Sequence, residues 1–239
     1  KDAFIKPRME LRDLTREDDN LPTEELYKLI VDGDDATLIQ QIEKLKQEII
    51  KNKEDLIAVG DLNACNFGKH LFQPLFHVRN GGNITILPIA LGESEYQFVI
   101  DLKDWCEKNK NEMRTKGLEL FLLRNLSRGK GVGFFEAGNF HPDFILWILS
   151  GDKQYVHFIE PHGLMYEGIN SEKIQFYKRI KEIETRIADP KVILSCWILS
   201  WTPKQELKLR GYDPEEYLKK NVVFMEDPGY IDSMISLII

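Results

Sequence analysis

The chain has 239 residues, of which 43% are hydrophobic and 30% charged, and it carries a net charge of −7. A chain of this length can bury a core without disulfide or metal staples. No apolar run nears the ~20 residues of a membrane span, and no signal peptide is visible. Three scattered cysteines (Cys65, Cys106, Cys196) argue against a disulfide framework and a thiolate zinc site, and they fit a reducing cytoplasm.

The acidic balance counts against the basic footprint usual in nucleic-acid-binding modules. A metal cleft relaxes that rule, because bound cations supply part of the positive charge. The chain opens at Lys1 without a methionine, and a fragment of a longer protein is expected.

Residues 1–60 are highly charged. Leu38, Ile42, Leu45 and Ile49 recur at helical spacing, with Asp35 or Thr37 as a cap. Residues 60–88 read as loops and short strands, with turn chemistry at Gly81, Gly82 and Asn83. Residues 93–108 read as a helix with Phe98, Leu102, Trp105 and Cys106 on one side. Residues 118–123 form a compact strand-length run, and the Gly- and Arg/Lys-rich stretch 127–133 reads as a loop.

Residues 143–149 are continuously apolar after Asp143, as a strand buried on both faces requires. Residues 155–160 form its neighbour. Residues 171–187 read as a helix capped by Ser171, with Ile174, Tyr177, Ile180, Ile183 and Ile187 as its apolar stripe. Pro190 stops it before a last strand at 192–199, in which Trp197, like Trp201 beyond it, reads as packing. Strands on either side of that helix predict a crossover connection and a mixed sheet covered by helices.

The chemistry concentrates in residues 142–162. Gly151-Asp152 suits a two-residue type II′ turn. Ser150 then pairs with Lys153, Leu149 with Gln154 and, at the far end, Asp143 with Glu160. Opposed residues share a face, with Cβ atoms about 4.5–5.5 Å apart. Two carboxylates at that distance repel, and a hard divalent cation between them resolves the conflict. His162 falls on the same side by the period of two, whereas His157 alternates to the other face and reads as a packing residue. A metal that polarises a phosphoryl oxygen, with a nearby group to orient water, is the equipment of phosphodiester hydrolysis.

Pro142-Asp143, a hydrophobic hairpin and Glu160-Pro161-His162 together resemble the PD-(D/E)xK nuclease superfamily. The stretches Leu122-Leu123-Arg124-Asn125, Gly131-Val132-Gly133-Phe134-Phe135 and Asn139-Phe140-His141-Pro142-Asp143 are similar to one branch of it. That branch is the nuclease region following the helicase in type III restriction subunits and related DEAD/DEAH-helicase proteins. The resemblance covers residues 88–203. It implies an α/β fold with a restriction-endonuclease-like helix-strand-strand-strand-helix-strand core, preceded by a mainly helical extension (1–87) and followed by a C-terminal extension (204–239) that packs on the core.

It further implies Mg²⁺-dependent DNA cleavage, with Mn²⁺ able to substitute. Asp143 and Glu160 would be the metal ligands, and Glu95 on the first core helix, or Glu93 in its stead, a further catalytic carboxylate. A helicase domain in the same polypeptide and a methylase subunit would be partners. His162 stands where most of the superfamily has lysine, and Lys173 could supply that charge by reaching inward. Arg124, Lys130 and Lys173 are candidate DNA contacts. Without catalysis, the same fold would serve as a DNA-binding or docking module of a larger motor.

Overall fold

The computed structural model describes residues 28–31, 35–51, 56–65, 75–79, 84–87, 90–125, 133–134 and 140–235. They fall into two compact units that divide between residues 97 and 98. The turn expected at Gly81 to Asn83, Lys130, and the end of the apolar tail lie outside the described residues.

In the first unit, β1 (Lys28–Val31) pairs antiparallel with β5 (Ile84–Leu87). A separate meander joins β2 (Leu56–Val59), β3 (Leu62–Cys65) and β4 (Leu75–Val78). Helix α1 (Ala36–Lys51) starts where Asp35 Oδ1 accepts the Leu38 amide at 3.0 Å, one of the four amides a helix start leaves unpaired. Its Leu38, Ile42, Leu45 and Ile49 stripe packs with Ile57, Val59, Leu62, Ala64 and Phe76 into one core. The expectation of a mainly helical extension is therefore corrected over the described residues up to 87, which hold five short strands and one helix. The strands are four residues each, too short for a period of two to stand out from the surrounding charge.

Helix α2 (Glu93–Lys108) occupies the predicted residues, with Phe98, Val99, Leu102 and Trp105 buried. Glu95, three residues past Gly92, turns back to accept the Gly92 amide at 2.7 Å, which is half of a capping box.

The second unit holds a five-stranded mixed sheet in the order β10-β9-β8-β7-β6. Its strands are β6 (Leu118–Arg124), β7 (Phe144–Ser150), β8 (Lys153–His162), β9 (Val192–Ser200) and β10 (Val222–Phe224). The first three form an antiparallel meander, and β8, β9 and β10 run parallel. Between β8 and β9 lies α4 (Glu172–Ile187), following the short α3 (Lys110–Thr115); this is the crossover that the sequence order predicts. The C-terminal segment does more than pack on the core, since β10 joins the sheet between α6 (Pro214–Leu218) and α7 (Tyr230–Ile235), after α5 (Lys204–Leu209).

Hairpin β7–β8 has the predicted register, from Ser150 opposite Lys153 to Phe144 opposite Ile159. Gly151 sits at φ 59°, and Asp152 is not among the positive-φ residues, the pattern of a type II′ turn. Strand β7 is buried along almost its whole length, as its unbroken apolar run requires.

Ser171 caps α4 through the Ile174 amide. The helix ends at Ile187, three residues before Pro190, and Ala188 just past it adopts a left-handed conformation. Its buried stripe is Ile174, Phe176 and Ile180 rather than one that includes Tyr177. Phe176 is drawn in by Phe134 and Phe140, with ring centroids at 4.6 and 5.3 Å. No helix of the described residues is long and apolar enough to cross a membrane.

Candidate active site

The β7–β8 ladder ends at Phe144 opposite Ile159, one residue short of Asp143 and Glu160. Asp143, immediately before β7, donates its amide to Glu160 Oε2 at 3.2 Å. The two acids thus meet at one end of the sheet, where β8 and β9 run out at their carboxyl ends, the usual location of ligand sites in open α/β sheets.

The sequence Arg124-Asn125 at the end of β6 holds Asp143 in place. The Asn125 amide and Arg124 Nη1 both donate to the Asp143 carbonyl at 2.8 Å, and Asn125 Nδ2 donates to the Pro142 carbonyl at 2.7 Å. Arg124 Nη1 also lies 3.0 Å from Asp143 Oδ1, and its guanidinium rests 5.0 Å from the Phe144 ring centroid. Arg124 is only 4% exposed, so the residue expected to touch a DNA backbone is turned inward onto the candidate metal ligand.

Lys173, in the first turn of α4, reaches inward as the sequence allows. Its Nζ lies 2.7 Å from Glu160 Oε1 and 5.9 Å from the Phe140 ring centroid. Burial pushes the Glu160 carboxyl up to about 7, and the nearby Asp143 charge adds to this, while the Lys173 ammonium pulls the other way. A carboxylate so placed gains from any further positive charge beside it.

His162 ends β8, and its Nε2 is 3.5 Å from Glu167 Oε2. Burial holds its imidazole below the usual range, reinforced by the Lys173 charge and opposed by Glu167. His157 lies on the other face of the sheet and is buried. Its Nδ1 accepts from Trp197 Nε1 at 3.2 Å and adjoins Ser195 Oγ, while its Nε2 has no hydrogen-bond partner among the described residues. It is a sheet-packing residue, in line with the sequence reading.

Asp143, Glu160, His162 and Lys173 share one end of the sheet, together with Arg124. Glu95 caps α2 in the first unit, where Glu93 lies 3.3 Å from His77 Nε2. Among the described residues, no group of three or more His, Cys, Asp or Glu side chains forms a metal cage. The donor set still fits a magnesium ion, which takes one or two carboxylates and completes its shell with water and phosphate oxygens. Asp143 is 26% exposed at its side chain and directs only Oδ1 to Arg124 among the described residues.

Sequence reasoning missed three contributors. Glu167 orients His162, and Tyr166 and Trp201 are exposed, the Trp201 amide bonded to the His162 carbonyl. Trp201 was expected to pack, but β9 ends at Ser200 and Trp201 is exposed. No signal in the sequence separated these residues from ordinary loop positions. No family model matches the chain, and no curated protein or solved structure matches it either.

Proposed function

We propose that the second unit is a metal-dependent nuclease centre that hydrolyses DNA phosphodiesters, with Asp143 and Glu160 as the ligands of Mg²⁺ or Mn²⁺. The observation that carries this reading is the meeting of Asp143, Glu160 and Lys173 at one end of the sheet, with Lys173 Nζ 2.7 Å from Glu160. A cation bound there would supply Lewis-acid polarisation of a phosphoryl oxygen and a lowered pKa for bound water. Lys173, not His162, occupies the functional position of a lysine beside the acid pair, and its ammonium would steady charge developing on the phosphate. Glu167 orients the His162 imidazole, which would position the attacking water. Arg124 and Asn125 hold the Asp143 backbone rigid.

One observation favours a second reading, a nuclease-like docking module of a helicase without catalysis. Arg124 and Lys173 already neutralise the two acids, so the protein can tolerate the pair without a cation. Incubation of the chain with supercoiled plasmid and Mg²⁺ or Mn²⁺ decides between them. Nicking that disappears in Asp143→Ala and in Lys173→Ala is the expected result. DNA binding without nicking in either metal, unchanged by Asp143→Ala, would refute the nuclease and leave the docking module.

A further inference from the structure

The exposed large apolar side chains among the described residues of the second unit all come from the segments that follow β8 and β9. They are Tyr166 (90% exposed), Trp201 (47%), Leu209 (81%) and Tyr212 (39%). Single exposed apolar residues are ordinary, but several aromatics gathered at one place mark a contact surface.

These side chains share a backbone frame with the acid pair. The Trp201 amide donates to the His162 carbonyl at 3.0 Å, and Tyr166 precedes Glu167, the partner of His162. The loop that carries Tyr166 is anchored. Thr202 Oγ1 accepts the Leu164 amide at 2.8 Å, Tyr217 Oη donates to the Glu167 carbonyl at 3.2 Å, and Arg210 Nη1 donates to the Met165 carbonyl at 3.3 Å. Rings on anchored backbone are preorganised and lose little entropy when a partner covers them.

The Arg210 guanidinium lies 5.5 Å from the Tyr166 ring centroid. Arg210 also donates to the Met165 carbonyl, which holds its charge at the edge of the Tyr166 ring. Aromatic faces with arginine and lysine at their margins are the equipment of single-strand binding: bases stack on the rings and the cations follow the phosphates. A duplex uses such rings only at its ends or at an unstacking cost of a few kcal/mol per step, because both faces of each internal base are already stacked.

We propose that Tyr166 and Trp201, with Arg210 beside the Tyr166 ring, form a stacking platform that delivers unpaired nucleotides of single-stranded DNA to the acid pair. This deepens the nuclease reading and rests on it, since it names the form of the substrate. Fluorescence anisotropy on the full chain in EDTA isolates binding from cleavage. The probes are labelled oligo-dT, oligo-U and a duplex of equal length, about 12 nucleotides, to span a site of ordinary size.

Oligo-dT should bind more tightly than the duplex, and oligo-U binding more tightly than oligo-dT would refute DNA as the strand delivered. Tyr166→Ala and Trp201→Ala should each weaken single-strand binding roughly five- to 150-fold, the range equivalent to about 1–3 kcal/mol per stacked base. Duplex binding should stay unchanged. Tyr166→Phe and Trp201→Phe keep a ring and should retain most of the affinity, which separates lost stacking from lost folding. Equal or tighter duplex binding, or alanine variants that bind single strands like the wild type, overturns the platform. So does a concentration-dependent dimer in sedimentation that Tyr166→Ala abolishes, because the patch would then belong to a second copy of the chain. Platform binding without any cutting in Mg²⁺ or Mn²⁺ refutes the nuclease reading alone.

Discussion

The buried imidazole of His157 should make the stability of this protein fall steeply with acid, by an amount that follows from its surroundings. In the folded state burial, and secondarily the Lys181 charge, lowers its pKa to about 3. The Trp197 indole N–H, aimed at Nδ1 from 3.2 Å, further disfavours a second proton there. Once unfolded, the side chain returns to an ordinary value of about 6.5. Below that pH the unfolded chain binds a proton that the folded chain refuses, so stability is complete above pH 6.5 and declines as pH falls towards 3.

The slope is about 1.4 kcal/mol per pH unit, which gives a loss of about 2 kcal/mol at pH 5. That figure barely depends on how far below 5 the folded value lies. Urea unfolding of the wild type and His157→Gln between pH 7.5 and 5 measures it, because the variant lacks this one titration. The difference between the two proteins should move in the variant's favour by about 2 kcal/mol on acidification. A difference that stays constant over that range would refute the reasoning, because His157 would then accept its proton in the folded state.

Two further outcomes follow from the hairpin and the site. Lys173→Met leaves the buried Glu160 carboxyl without its cation at 2.7 Å; with the lysine one-quarter exposed, the expected loss is about 2 kcal/mol at neutral pH, below the range for fully buried pairs. Thermal or urea melts read this loss, and Lys173→Arg should recover most of it. Gly151→Ala places a Cβ in open space but at φ 59°, so its cost of about 1 kcal/mol is wholly that of the left-handed backbone, and Gly151→Asn should cost less in the same melts.

The sequence by itself determined most of the second unit. The unbroken apolar run of β7, the Gly151-Asp152 turn and the Ser171 cap are local signals with local causes, so strand register, helix start and the meeting of Asp143 with Glu160 could be read from spacing alone. Hairpin register is legible because a one-residue slip would turn every buried side chain to the wrong face.

Only the tertiary structure decided what surrounds the two acids. Arg124 and Lys173 come from β6 and α4, nineteen and thirteen residues away in the chain from their partners. Nothing in their own neighbourhoods announces that they turn inward. The exposure of Tyr166 and Trp201 was equally hidden, because an aromatic residue at a strand exit is packed or bare according to what other segments cover it. The short strands of the first unit escaped for the same reason: four residues carry too little periodicity, and it is pairing with distant partners that makes them strands.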